Sequence, residues 1–509
     1  MSNEYNYIAM NRFSNGANEQ AVLALANANT KADAQNWLLA QLKTYELPES
    51  SWSSQKAITA YYYFRQQEEM AKQAGDNSSN NTGNDTGDNT SKNPGNDTGD
   101  NADSTTDSKT PTNAIPSKQT MGANVTRRNL IEATRTHAQQ TALANISAAQ
   151  GLQAKLLDFF SNHFSITRAN LPLTLLAPTL ETEAIAPNLN GQFADMLLAA
   201  IRHPAMLLYL NNERSIGPNS RIGTNRQAKN RRAGLNENLA REIMELHTLG
   251  VGSGYTQQDV TELANALTGW SIGSVRRNEK PEFIFRHNAH EPGSRAVLGK
   301  RYAESAQSLG DKHLGDKQAA DILQDLALHP ATAAHISYKL AKHFIADTPD
   351  SSLVASMTQT WIATSGNIKA VVSAMIKHPA SWQIPMQKFK TPREFVFSAC
   401  RACGVDKPSP NLYQTLEILG HGFFNSGSPA GYADGQDTWL GVSALNARIE
   451  WASHFVKVVL KRKLTEPVDI ANKALGPLLS DATLQAIKQA ESKQQALALF
   501  LMSPEFQRR

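Results

Sequence analysis

The chain is predicted to be mainly α, a multi-helix globular array with short loops, at most a small β-hairpin and one long disordered insertion. Three observations lead there. Ala/Leu-rich runs with apolar residues at helical spacing fill most of the sequence, and sustained Val/Ile alternation is missing. His-Pro pairs and Gly/Asn-rich stretches break those runs into lengths suited to packed helices. From Gly75 to Thr120 the composition shifts sharply to Asn, Asp, Gly, Thr and Ser, and GNDTGDN occurs at Gly83–Asn89 and again at Gly95–Asn101. A segment with almost no apolar side chains cannot offset the entropy of ordering, so disorder is expected there.

In chain order, residues 1–74 read as the N-terminal part of a core, with helices over Asn18–Leu47 and Ser50–Ala74. Residues 75–120 are the insertion, and 121–509 complete the core, packing with 1–74 as one domain. Helices are expected at Val125–Ala149, Leu152–His163 and Asn190–Ile201, with His203-Pro204 as a stop and Ala205–Asn211 beyond it. Asn212–Arg232 is polar, basic and Gly-containing, hence a loop. A helix follows Gly234. Gly250 is its plausible C-cap, and Thr256 with Asp259 opens the next helix in capping-box style. Glu282–Arg286 and Ala296–Gly299 suggest a short hairpin. From Ala319 to His378 helices alternate with His-Pro stops. Further helices cover Pro392–Ala402, Leu412–Leu419, Ser443–Lys461, Leu479–Ala490 and Gln494–Leu501. No regular period supports a solenoid.

Composition narrows the functional classes. The 509 residues include 40% hydrophobic and 7% aromatic side chains, which suits a soluble globular protein. No apolar run approaches the ~20 residues that a membrane helix needs. MSNEYNYIAMNRF lacks the basic region and apolar core of a signal peptide, so a cytoplasmic location is the default expectation. The insertion carries seven Asp and three Lys; removing its net −4 from the chain's +4 leaves about +8 elsewhere. Its Asp-rich repeats lack the Glu of an EF-hand loop. Cys400 and Cys403 form a C-x-x-C inside a helical pattern, which points to buried structural thiols. Two thiols without nearby histidines do not make a tetrahedral zinc site, and no metal is assigned. Signatures for a serine-hydrolase elbow, a phosphate-binding P-loop, a dinucleotide fingerprint or a zincin helix are missing.

The most informative stretch is Gly234–Trp270. Asn238, Arg241, Glu242 and Glu245 lie at spacings of three, four and seven, so a helix places them on one narrow face. Leu235, Leu239, Ile243 and Leu246 form a neighbouring stripe. Such a concentrated polar row either faces a cleft or is the solvated side of an amphipathic helix. Just before it, Arg214, Arg221, Arg226, Lys229, Arg231 and Arg232 make a basic loop suited to a sulfate, phosphate, carboxylate or acidic polymer. Without interleaved aromatics or a reader motif, nucleic acid is disfavoured. His163 follows Asn162 among Phe159, Phe160 and Phe164, and is either a packed imidazole or a functional one. His290-Glu291, with Arg295 nearby, sits in a Pro/Gly turn that suggests an exposed site loop.

GLNENLAREIMELHTLGV, followed by YTQQDV and ALTGW, resembles the signature of the bacterial domain-of-unknown-function 1800 family. Ala9–Phe13, Phe159–Phe164, Phe283–Gly299, the run from His329, the run from Lys390, SPAGYADGQDTWL from Ser428 and the closing SPEFQRR are similar to further blocks of that family, in order. The resemblance spans nearly everything except about 75–120. It implies no assigned reaction. It does imply a possible partner of the domain-of-unknown-function 1501 family, which looks like the sulfatase and alkaline phosphatase superfamily, and with it a conceivable co-export to the periplasm.

Two readings of function remain open at this level. In one, the chain is a helical binding or partner protein for a sulfatase/phosphatase-like protein or an anionic polymer. In the other, it is an acid/base or metal-assisted, hydrolase-like enzyme acting on an anionic or carbohydrate substrate. That enzyme would use Glu242, Glu245, His163 and His290 as acid/base groups. Asn162, Asn238, Arg241, Arg221, Arg231, Arg232 and Trp270 would be its ligand contacts. The cofactor is unknown. The enzyme reading expects Glu242, Glu245 and a histidine around one pocket. The partner reading expects the polar stripe to pair internally and an apolar patch to be exposed elsewhere.

Overall fold

The computed structural model describes residues 4–43, 52–79, 126–147, 151–229, 234–304, 314–407, 409–462 and 466–509. Among the described residues these fold into 23 α-helices, and strands are limited to two two-stranded antiparallel pairs, so the architecture is mainly α. The helices that position the site are α1 (Arg127–Ser147), α2 (Leu152–His163), α3 (Asn238–Glu242), α4 (Gln257–Leu267), α5 (Pro330–Phe344), α6 (Pro392–Ala402), α7 (Leu412–Ile418) and α8 (Val442–Arg462).

Local chemistry starts these helices where they start. Thr256 caps α4 and Thr391 caps α6, each in a capping box with the acid three residues on, Asp259 and Glu394. Pro392 occupies the first turn of α6, where its missing N–H costs nothing. The three His-Pro pairs do more than stop helices. Each histidine before proline has extended backbone, as the proline ring requires. The Nδ1 of His203, His329 and His378 then accepts the backbone N–H two residues on at 3.2, 3.1 and 3.3 Å. A His-Pro pair is thus the N-cap of the next element.

The largest hydrophobic cluster runs in sequence from Ile8 to Trp382 and joins Ile8 and Phe13 to Leu156, Phe160, Ile243 and Trp361. A second gathers Phe395, Val456, Leu497 and Phe506, and a third joins Ile146 of α1 to Val396 of α6 and Leu416 of α7. Two short stretches wind as π-helix, Glu181–Ile185 and Ile243–His247, the latter continuing α3. Such turns are frequent at functional sites.

Several expectations change in detail. Asn18–Leu47 holds two helices, Glu19–Ala24 and Lys31–Leu39, because Thr30 and Asp33 form a capping box that begins the second. The helix from Ser54 continues to Ser79, past the expected start of the insertion; residues 80–120 lie outside the described residues. Asn212–Arg232 contains a helix, Arg221–Gln227, capped by Ser220. The expected hairpin between Glu282–Arg286 and Ala296–Gly299 is not the pairing that forms. Instead β1 (Trp270–Ile272) pairs with β2 (Phe283–Phe285), and β3 (Arg295–Val297) pairs with β4 (Lys300–Tyr302). Leu298 (φ 50°) and Gly299 (φ 76°) make a two-residue turn with both φ positive, which closes β3 directly onto β4.

Candidate functional site

Helix α2 has two faces. Leu156 and Phe160 enter the main core, while Asp158, Ser161 and Asn162, spaced three and four, line a crevice together with Ser165 just beyond the helix end. The segment Gly431–Asp434 lies across that face. Asn162 fastens it, donating to the Tyr432 carbonyl at 2.8 Å and accepting the Tyr432 N–H at 2.7 Å. The approach is close: a Cβ on Gly431, which has φ +80°, would stand 2.4 Å from the Asn162 carbonyl oxygen. Only glycine fits there. His343 from the last turn of α5, Arg393 from the first turn of α6 and His421 after α7 complete the lining, with Glu181 at the start of a π turn. The enclosed space is about 40 Å³, enough for one small polar group.

Within this crevice His343 Nδ1 lies 2.8 Å from Asp434 Oδ1. Burial alone would raise the Asp434 carboxyl. The charge of His343 and its hydrogen bond, followed by Lys388 and Lys339, outweigh burial and hold it at about 2. An ionised Asp434 accepts only, so Nδ1 carries a proton whichever charge state the ring has, and Nε2 has a lone pair when the ring is neutral. His343 is almost fully buried, and among the described residues Nε2 has no hydrogen-bond partner. Ser161 Oγ, His421 Nδ1 and Arg393 Nε are likewise buried without partners. All four residues line the crevice, and a buried polar group left unpaired costs about 1–3 kcal/mol. Arg393 is fixed by Asp158 and by the Gly422 carbonyl at 3.2 Å. The His421 ring packs edge-on to Tyr432 at 4.4 Å, and burial, then Arg393, push its imidazole well below its ordinary range. Tyr432 donates to the Gly422 carbonyl at 3.0 Å, and burial raises its phenol to about 12.

His343 ends a row. On α5, His335, Lys339 and His343 are four residues apart and share a face. Lys339 Nζ lies 3.0 Å from His163 Nδ1, whose other nitrogen, Nε2, donates to the His247 carbonyl at 3.2 Å. The His163 and His247 rings meet edge to face at 5.5 Å. Burial lowers the Lys339 ammonium to about 8 against the pull of Asp434. Burial, then Lys339, press His247 to about 3 and His335 to about 4, and hold His163 well below its ordinary range.

Beyond the crevice, charge is fully enclosed. Glu394 contacts Lys155 at 3.1 Å and Arg509 at 2.7 Å, and its other oxygen caps Thr391 at 2.9 Å. Burial would raise this carboxyl, but Arg509 and Lys155 hold it well below its ordinary range. Burial also drives the Lys155 and Lys390 ammonium groups down to about 7.

The structure distributes the sequence-predicted residues among several surroundings. Glu242, Glu245, Arg241 and Asn238 lie on the partly exposed outer side of α3. There Arg241 contacts Glu245 at 3.2 Å and donates to Gln257 of α4 at 2.7 Å, while Gln257 and Thr261 each donate to Glu237 at 2.8 Å. Burial and Glu245 raise the Glu242 carboxyl. His163 is enclosed behind this segment with His247 and Lys339. His290 belongs to a third place, with Nδ1 at 2.9 Å from the Thr268 carbonyl oxygen. The expectation that His290-Glu291 forms an exposed loop is corrected: both are buried. Glu291 accepts the Asn219 N–H at 2.8 Å and its amide at 2.6 Å, which fixes the basic segment to the core. Trp270 is fully buried, with the Arg202 guanidinium 5.2 Å from its ring centre. Arg221 is exposed, and Arg231 and Arg232 lie outside the described residues. Asn162 is the predicted residue that lines the crevice.

Sequence reasoning missed His343, Asp434, Arg393 and His421. The spacing of four from His335 through Lys339 to His343 was a usable signal on α5. Asp434 was not, because its partner is 91 residues away. Cys400 and Cys403 are both free and buried, and burial raises the Cys400 thiol to about 12. Among the described residues no group of three or more His, Cys, Asp or Glu side chains is placed to hold a metal ion. No described helix is long and apolar enough to cross a membrane.

These features define a helical protein with a small crevice, lined by ionisable side chains, between α2, α5 and the 431–434 segment. The family described as "Protein of unknown function (DUF1800)" matches residues 8–508, and the chain belongs to it. No curated protein and no solved structure matches it.

Proposed function

We propose that the protein is an acid–base enzyme of hydrolase type, with His343 as the proton-transferring group and Asp434 as the carboxylate that orients it. One observation carries this reading: a carboxylate–imidazole pair at 2.8 Å whose second nitrogen is unpaired in a crevice. A histidine held in one tautomer by a carboxylate is the arrangement that general acid–base catalysis uses. Arg393 supplies fixed positive charge beside it, suited to a developing oxyanion. Glu242 and Glu245 have a lesser claim, since their row is occupied by Arg241, Gln257 and Tyr255. The test is a panel of chromogenic carboxylic esters, phosphate monoesters and glycosides, comparing wild type with H343Q at matched Tm. A loss of at least about 100-fold on the class that turns over is expected, within the range that general acid–base catalysis contributes. Equal turnover by H343Q, or no class accepted by wild type, overturns the reading.

A second reading is favoured by a different observation. Arg241 and Glu245 of the α3 stripe pair with each other, and an apolar groove of about 510 Å³ lies between α6, α7 and α8, lined by Val396, Leu412, Trp451, Phe455 and Val458. Both features suit a partner protein, and the exposed Arg221, Arg226 and Lys229 suit an anionic surface. A sulfatase/phosphatase-like protein or an anionic polymer would be the partner. Co-purification with that protein, abolished by V458E, supports this reading; unchanged co-purification removes the groove from it.

A further inference from the structure

We propose that the groove between α6, α7 and α8 binds a fatty-acid anion, with its alkyl chain along α8 and its carboxylate held by Lys407. This goes beyond both readings of function and is independent of His343. Helix α8 is apolar on two faces. Ala452 and Val456 are buried in the second hydrophobic cluster. Trp451, Phe455 and Val458, spaced four and three, form a neighbouring row that lines the groove. The Trp451 and Phe455 rings stack at 4.8 Å with their planes 17° apart, which makes the wall flat. Both stay partly exposed, and Val458 is half exposed. Val396 of α6 and Leu412 of α7 add to the apolar lining. An uncovered apolar face of this kind marks a binding surface.

The class of occupant follows from the chemistry of the lining. Its basic groups are Lys407 and His454, and no carboxylate is among the described residues that line it; Asp406 lines an adjoining cleft instead. His454 donates from Nδ1 to the Glu450 carbonyl at 2.9 Å. Lys407 has no ion pair among the described residues, so it is the cation left to meet an anion. An apolar wall with one such cation is complementary to a ligand that has an apolar body and a single negative end. From Trp451 to Val458 the wall runs seven residues, about 10 Å of helix. A single row of that length matches an extended alkyl chain better than a compact ring system.

Isothermal titration calorimetry of the full chain with hexanoate, octanoate and decanoate, each below its micellar concentration, tests this. Saturable binding is expected, with Kd about fourfold tighter for each added methylene, the worth of one buried CH₂. Decanol, which lacks the charge, should bind at least 10-fold more weakly than decanoate, and K407A should abolish that preference. V458E should weaken decanoate at least 10-fold at unchanged Tm, and V458S, which adds no charge, should weaken it severalfold. Heat that does not saturate, ignores chain length or survives both Val458 variants overturns the proposal. So does an undiminished preference for decanoate over decanol in K407A. If wild type does not bind decanoate and V458E abolishes co-purification with a protein, the groove is a protein interface; the proposal falls and the partner reading stands. The acid–base reading is untouched by any of these results.

Discussion

Helices α2 and α3 carry polar residues at the same spacing of three and four, and these meet different surroundings. On α3, Arg241 finds Glu245 and Gln257, and Glu237 finds Gln257 and Thr261. Arg241 and Glu245 of the row are thus paired at a partly exposed surface. On α2, Asp158 and Asn162 are tied to Arg393 and Tyr432, but Ser161, which lines the crevice with His343, His421 and Arg393, has no hydrogen-bond partner among the described residues. A polar stripe therefore does not declare its purpose. What packs against it decides whether its hydrogen bonds close among themselves or stay available to a ligand.

The largest effect expected separates the crevice from the closed charge network next to it. E394Q removes the carboxylate that Lys155 and Arg509 contact, leaving buried cations uncompensated, and should cost about 3–5 kcal/mol in urea unfolding. A cost below about 1 kcal/mol would mean that the network is not a stabilising one.

Next in size are two pH windows. Unfolded imidazoles take up protons below about pH 6.5, whereas folded His335 does so only near 4 and folded His247 near 3. The unfolded chain binds more protons in that interval, so stability should fall as pH drops from about 6.5 toward 4. Tm measured across this range should decline, with H335Q declining less. On the alkaline side, folded Lys155 and Lys390 lose their protons near 7, and unfolded lysines near 10.4. The unfolded chain again binds more protons in between, so these two groups should add stability as pH rises from 7 to about 10. K390M should flatten that rise.

The smallest effect is expected on α3. R241A disrupts a pair at the surface, is expected to cost roughly 0.5 kcal/mol, and should leave the reactivity of the crevice unchanged. A large loss of hydrolysis in R241A would return the site to the α3 row.

Much of the fold was legible because its causes are local. Capping boxes at Thr256 and Thr391, the His-Pro pairs and the apolar spacing of α2, α5, α6 and α8 act within a few residues. Strand pairing was less so: the segments near Phe283 and Ala296 read correctly as extended, but the register depends on the turn at Leu298-Gly299 and on the pairing of Trp270 with Phe285. The crevice was legible only in pieces. Asn162 stood out beside His163, and the row on α5 had helical spacing, yet Asn162 meets Tyr432 across 270 residues and His343 meets Asp434 across 91. The concentration of charge on α3 was visible in the sequence. That α4 would present Gln257 and Thr261 to it was a matter of packing.

The tautomer of His343 is the most direct measure of the central claim. Long-range ¹H–¹⁵N correlation on the full chain, assigned with H343Q, should find the proton on Nδ1 in wild type and displaced toward Nε2 in D434N, with Ser161 left in place. A proton on Nε2 in wild type, unaffected by D434N, would show that Asp434 does not orient the ring and would contradict the account.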